Sequence, residues 1–218
     1  MNTQSSETLN PLVESLSELE KREEAFISSG RKLLSMGNLY SFDLFCTAIL
    51  NRSLNLVRGF IDLMNGNNFI AAAPLIRIHL DTLLRLYSFS LIDDNINQLI
   101  SRIAKGESLR SFKGRNGLPF TDKNLVESIS LHEQYNWVKP LYSKLNGFVH
   151  LSEMHILSCS TLDETSGTIR GIIRKSDEFI PEKDKKASIT FMIMISDGII
   201  SLIDEWSIKK LTYKPEES

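Results

Sequence analysis

Residues 187–206, A-S-I-T-F-M-I-M-I-S-D-G-I-I-S-L-I-D-E-W, constrain the fold of this chain more than any other stretch. At helical spacing, Ile189, Met192, Ile193, Ile199, Ile200 and Ile203 fall on one side, and Phe191, Ile195 and Leu202 on another. A helix that is apolar on several faces must be buried, either at the centre of a bundle, in an oligomer interface or in a membrane. Asp197, Gly198 and Asp204 argue against the membrane. A charged residue near the bilayer centre costs about 2.5–3.5 kcal/mol on insertion scales. The stretch therefore reads as a core helix over 182–211, begun by Pro181.

The preceding segments supply helices for it to pack on. Leu12, Leu16, Leu19, Phe26, Leu33 and Leu34 recur at helical spacing after Pro11, and Gly37-Asn38 stops the run. Ser41 and Asp43 open a second helix, whose apolar face carries Phe45, Ile49, Leu56, Phe60, Ile61 and Met64. The turn Asn65-Gly66-Asn67-Asn68 leads at once into a third helix over 69–91, kinked at or begun by Pro74. So short a turn makes the pair an antiparallel hairpin. Asp93-Asp94 caps a shorter helix to about residue 104, and residues 105–120 form a surface loop. A helix starting at Thr121-Asp122 breaks near 130–133, and helical spacing resumes to Gly147 or His150 despite Pro140. Residues 155–174 read as two short strands around D-E-T-S-G. The expected fold is mainly α: one helical bundle domain over 10–212, with a long antiparallel helix hairpin and a small β-hairpin insertion. Residues 1–9 are expected to be a disordered tail and 213–218 a frayed one.

The 218 residues carry a net charge of -2, which gives no global drive toward nucleic acid but leaves room for a local basic surface. Two cysteines without a C-x-x-C provide no disulfide framework, and Cys46 reads as a packed thiol. The N-terminus lacks the pattern of a secretory signal, so a cytoplasmic protein is expected. His79, His132, His150 and His155 show no metal-ligand spacing, and no cofactor is implied. His79 reads as a packing or surface residue, His132 as exposed, and His155 as the start of a strand.

Arg52 falls on the stripe Phe45-Ile49-Leu56-Phe60, so it is expected to point toward the core. An unpaired buried charge is expensive, and the hairpin brings Asp81 opposite. Arg77 precedes Asp81 by one turn and can pair with it as well. Arg52, Arg77 and Asp81 then form either a structural ion cluster or an anion pocket with surplus positive charge. Around the loop, Arg102, Lys105, Arg110, Lys113, Arg115 and Lys123 outnumber Glu107 and Asp122. This is a solvated face by default, and Arg110, Lys113 and Arg115 are its candidates for nucleic-acid contact. Phe112 and Phe120 alone offer little base stacking.

The segment L-N-G-F-V-H ending at His150 resembles the second half of the signature of the HEPN superfamily (higher eukaryotes and prokaryotes nucleotide-binding). With N-R-S-L-N-L-V-R-G and I-R-I-H-L-D-T-L-L-R-L-Y upstream, most of residues 40–155 is similar to bacterial HEPN-like proteins. The resemblance implies a helical bundle and a homodimer. It also implies either a metal-independent ribonuclease of stress or phage-defence systems or an inactive binding relative. Leu145 stands where the family's catalytic Arg falls, and Lys144 points about 100° away. His150 could accept the proton of an attacking 2′-hydroxyl, with Asn146 beside it, but Leu145 cannot stabilise the developing phosphorane charge. Arg77 or Arg52 could substitute in space if the helix ending at His150 packs on the hairpin. Alternatively His150 is a helix-end residue bonded to Asp81, Ser152 or a backbone carbonyl, with Asn146 a local cap. The expectation is a HEPN-like binding or regulatory protein without catalysis, whose RNA or other phosphate-bearing ligand meets Arg52, Arg77, Asp81 and Ser152. The alternatives are a ribonuclease using His150, Asn146 and Arg77, and a scaffold whose polar cluster is only structural.

Overall fold

A computed structural model of the chain describes residues 11–92, 96–177 and 180–213. The tail over 1–9, the cap Asp93-Asp94 and residues 214–218 lie outside the described residues. Four long helices make the core: α1 (Pro11–Ser35), α2 (Ser41–Asn65), α3 (Phe69–Tyr87) and α8 (Glu182–Lys209). Each packs on the next, and α8 returns to α1, so the four close a ring. Between α3 and α8 come α4 (Ile96–Ala104), α5 (Asp122–Ile129), α6 (Val138–Val149) and α7 (Glu153–Ser158), then β1 (Ser160–Asp163) and β2 (Thr168–Gly171). α5 and α6 lie on α3, and α4 lies on α2. The fold is a mainly α bundle with a small β-hairpin.

The hairpin turn follows its sequence. Asn67 takes φ 53, the left-handed conformation that Asn tolerates well. The Asn68 side chain caps α3 by accepting from the Ala71 amide at 3.3 Å. α3 runs through Pro74 in its second turn and gives way at Ser88–Leu91 to a 3₁₀ turn. The strands are shorter than the expected 155–174. His155 sits in α7 rather than a strand, because the Ser152 carbonyl accepts from the His155 and Ile156 amides and starts a helical turn. Leu162 pairs with Ile169 across the strands.

α8 is one wall of the ring and is buried along one broad face, while Phe191, Ile193, Ile200 and Leu202 on its other faces are half-buried. Ile189, Met192, Ile195, Ile199 and Ile203 are buried, and the helix packs on α1 and α3. Gly198 permits the close approach to α3: a Cβ there would lie 3.2 Å from Tyr135 and 3.4 Å from Leu83. By length and composition α8 could cross a membrane, with a mean hydropathy of 1.6 over its most apolar window. Its two mid-helix aspartates are held by α1. Arg22 donates twice to Asp197, at 3.0 Å each, while Ser29 and Lys32 donate to Asp204 at 2.8 Å each. Thus the residues that interrupt the apolar run form the seam between α1 and α8.

A buried ion pair ties three helix ends together. Lys210 donates to the Asp43 carboxylate at 3.0 Å and to the Leu33 carbonyl at 2.6 Å. Asp43 also accepts from the Trp206 indole at 2.7 Å and the Tyr40 amide at 2.9 Å. Both charges are therefore compensated, which a buried pair requires.

His79 is fully buried, its ring edge-on to Phe26. The Ser196 hydroxyl donates to the Met192 carbonyl at 2.8 Å, so Nε2–H of a neutral His79 donates to Ser196 at 3.1 Å. Burial, aided by the charge of Arg52, pushes the His79 pKa down to about 3. The unfolded chain takes up this proton near pH 6.5, whereas the folded one resists it until about pH 3. Stability is thus fully present above pH 6.5 and falls as the pH drops below it, by up to about 1.4 kcal/mol per unit. Urea unfolding between pH 7 and 5, above most carboxylate titration, should show this slope in the wild type and its loss in His79→Leu.

Candidate functional site

On α3, Arg77, Asp81 and Arg85 are spaced by single turns and form one edge of the helix. α6 packs on α3 beside them, and the N-terminus of α5 supplies Asp122. The Thr121 hydroxyl caps α5 by accepting from the Asn124 amide at 3.4 Å. This fixes the first turn and aims Asp122 at the arginines. Arg77 donates to Asp122 at 2.8 Å, Arg85 also pairs with it, and Arg110 stands 3.5 Å away. The Tyr142 hydroxyl donates to Asp122 at 3.5 Å, and its ring lies under the Arg77 guanidinium, 4.2 Å from the centroid. Arg85 donates further to Asp81 at 2.9 Å and to the Phe120 carbonyl at 2.7 Å. Burial pushes the Asp122 carboxyl up, but Arg85, Arg77 and Arg110 together outweigh it and hold the group below the usual carboxylate value.

Arg77, Asp81, Asp122 and Tyr142 line an open cleft of about 380 Å³, bounded also by Arg52, Ile78, Asn146, Val149 and His150. The cleft brings together Arg52, Arg77 and Asp81, expected as one cluster, with Asn146 and His150, expected beside them if α6 packs on the hairpin. The expected pairings are different, however. Arg52 is exposed at the margin of α2, because the buried stripe runs through Ile49, Ser53, Val57 and Phe60, one step away. It donates to the Thr82 hydroxyl at 3.1 Å and meets no carboxylate among the described residues. Asp81 pairs with Arg85 and not with Arg52 or Arg77, since Arg77 is turned to Asp122.

His150 caps the C-terminus of α6, its amide donating to the Asn146 carbonyl at 3.3 Å. Its ring is exposed and has no hydrogen-bond partner among the described residues, so the expected bond to Asp81, Ser152 or a carbonyl is not formed. The Asn146 side chain is likewise open at the cleft. Ser152 lies outside the cleft lining and its hydroxyl donates to the Gly147 carbonyl at 2.7 Å, closing the end of α6. Leu145 is in the core, and Lys144 reaches the other way, over the Phe191 ring. Neither can replace an arginine in the cleft.

The loop contributes less than its charge suggests. Phe112 and Phe120 are buried anchors and present no stacking surface. Arg115 donates to the Ser90 carbonyl at 2.8 Å and Lys113 is exposed, so Arg110 is the one of the three candidate contacts placed against Asp122. His132 is exposed as expected, but it bonds to the Tyr87 hydroxyl at 3.1 Å. Among the described residues no group of His, Cys, Asp or Glu could hold a metal.

Sequence reasoning missed Arg85 and Tyr142, and it took Asp122 for a helix start and one of the two acidic residues of the basic loop region. The single-turn ladder Arg77-Asp81-Arg85 was the available signal for Arg85. Nothing local in the sequence pointed Asp122 or Tyr142 at it. In the cleft lining Arg52 and Arg77 balance Asp81 and Asp122, and Arg85 and Arg110, which pair with Asp122 from outside that lining, add two further positive charges. No family model matches the chain, and no curated protein or solved structure matches it.

The crowding of three guanidinium groups on Asp122 makes it the most costly carboxylate to remove here. Asp122→Asn should lower stability at pH 7 by about 2–4 kcal/mol, because it leaves Arg77 without a carboxylate and Arg85 with Asp81 alone. Asp81→Asn, with one partner and more solvent, should cost about 1 kcal/mol or less. Denaturant midpoints measure both, and equal losses would contradict this ranking.

Proposed function

We propose that the chain is a HEPN-like helical protein that binds a phosphate-bearing ligand, single-stranded RNA foremost, in the cleft between Arg52 and His150 without cleaving it. The observation that carries this reading is the arrangement of the arginines. Arg77 is held in place by Asp122 and Tyr142, while Arg52 stands at the rim with the Thr82 hydroxyl as its one hydrogen-bond partner among the described residues. A phosphate oxygen meeting both would gain two charge-assisted hydrogen bonds at little ordering cost. The Asn146 amide and the His150 ring can add contacts to ribose or base edges from the opposite wall. Asp81 and Asp122 oppose the anion, so the expected affinity is modest and strongly salt-dependent.

The unheld imidazole favours binding over chemistry. A general base is normally oriented by a second group bonded to its other ring nitrogen, and His150 has none among the described residues. One observation keeps a second reading in play: His150 and Asn146 share a cleft with Arg52 and Arg77. This is the spatial substitution that a metal-independent ribonuclease with Leu145 would need. A cytoplasmic protein of a bacterial stress or phage-defence system accords with either reading, and the packing of α8 inside the bundle supports a water-soluble one.

Fluorescence anisotropy with a labelled single-stranded RNA tests the proposal. Wild type should bind with a salt slope reporting a few phosphate contacts, and Arg52→Ala should weaken binding about tenfold and reduce the slope by about one. His150→Ala should stay within about threefold of wild type. Cleavage of the same RNA in EDTA by wild type, lost in His150→Ala, would replace the binding reading with the ribonuclease.

A further inference from the structure

Asp81 is the member of the cleft that anion binding does not explain. A carboxylate in the lining opposes a phosphate, and its pairing does not require it there. Its partner Arg85 is already joined to Asp122 and donates to the Phe120 carbonyl at 2.7 Å. Asp81 meets Arg85 through Oδ1, at 2.9 Å. Its Oδ2 has no hydrogen-bond partner among the described residues, and 32% of the side chain is open to solvent. An unengaged carboxylate oxygen in a cleft lining is an acceptor for a donor on the ligand.

The course of α6 fixes which end of the cleft this is. The Tyr142 ring lies under Arg77, and Phe148 meets Phe69 edge-on with ring centroids 5.9 Å apart. α6 therefore runs antiparallel to α3. Asn146 and His150 lie past Arg77 toward the start of α3, whereas Asp81 lies one turn past it toward the end. Arg52 belongs to the Asp81 end, because it donates to Thr82. Ile78 follows Arg77 in the lining and is 37% exposed, an aliphatic surface for a flat ring. One end of the cleft thus offers a carboxylate acceptor, an apolar surface and two guanidinium groups, and the other offers the open Asn146 amide and His150 ring.

Among the nucleobases, the Asp81 end suits guanine. Guanine presents two adjacent donors, N1–H and N2–H, which match the two oxygens of a carboxylate, and Oδ1 keeps a lone pair beside its bond to Arg85. Uracil has one such donor, N3–H, set between two carbonyl oxygens that a carboxylate repels. Cytosine and adenine present an amine beside a ring-nitrogen acceptor, so they satisfy only one oxygen. We propose that Asp81 is a specificity residue, accepting from the N1–H and N2–H edge of a guanine that flanks the phosphate held by Arg52 and Arg77. The inference rests on the anion-binding reading of this cleft and gives it a base preference.

Anisotropy with labelled RNAs of about eight nucleotides tests it. The set is oligouridine, the same chain with one central guanosine, and the same chain with inosine, which lacks the 2-amino group. Wild type should bind the guanosine chain about tenfold more tightly than oligouridine, and the inosine chain within about threefold of oligouridine. In Asp81→Asn the three should agree within about twofold, and oligouridine should bind more tightly than it does to wild type, since a charge opposed to the phosphate is gone. Arg52→Ala should weaken all three about tenfold and keep the preference. The inosine comparison uses wild type alone, so it decides even if a variant fails to fold. Equal binding of the guanosine and uridine chains by wild type, both weakened in Arg52→Ala, would overturn the role of Asp81 and leave the anion site standing. A guanosine preference that survives in Asp81→Asn would overturn that role as well. Displacement of the RNA by guanosine monophosphate and not by uridine monophosphate would support the same recognition with a free nucleotide as its source. Binding of none of the chains would overturn the anion site and this inference with it.

Discussion

One carboxylate sets the geometry on which the functional reading depends. Asp122 meets Arg77, Arg85 and Arg110 and takes a hydrogen bond from Tyr142. These partners come from α3, from the loop before α5 and from α6, so the contact draws α5 and α6 onto the edge of α3. That packing places the end of α6, with Asn146 and His150, beside Arg52 and Arg77. The cations attracted to Asp122 exceed what it can neutralise. The structure thus gathers four arginines around two carboxylates and holds Arg77 from two sides, and the proposed anion site rests on this.

The same rigidity separates binding from catalysis. Arg77 is fixed from two directions, by a carboxylate and by a ring, and its guanidinium needs no ordering when a ligand arrives. His150 has the opposite character: it ends a helix, its ring is exposed, and no hydrogen bond from the described residues sets its orientation. On the proposed reading, charge stabilisation is prepared in this cleft and proton transfer is not. A phosphate-bearing polymer could be held there by its backbone without its 2′-hydroxyl being placed for attack.

Much of the fold was legible in the sequence because periodicity is local. The apolar face of α2, the N-G-N-N turn and the stretch over 187–206 each follow from spacing within one segment. The aspartates that interrupt α8 are explained only by tertiary packing, as they face α1 and are paired there. The site was legible only in part, because pairings between helices depend on crossing geometry that spacing does not encode. Arg52 differs from its buried neighbour Ser53 by one helical step, and that step decides between the core and the rim. Asp81 was assigned to the wrong arginines because Arg85 and Asp122 compete for them. His155 was read as a strand start, whereas local bonds to the Ser152 carbonyl made it helical.

The most direct test of the account is an NMR titration that follows the arginine side-chain Nε–Hε signals as a short single-stranded RNA is added. The account predicts that the Arg52 and Arg77 signals shift together and saturate at one concentration. In Arg52→Ala the Arg77 shift should require about tenfold more RNA, the loss expected for a charge-assisted contact. RNA binding that leaves both signals in place, while resonances elsewhere move, would contradict the claim that this cleft is the anion site.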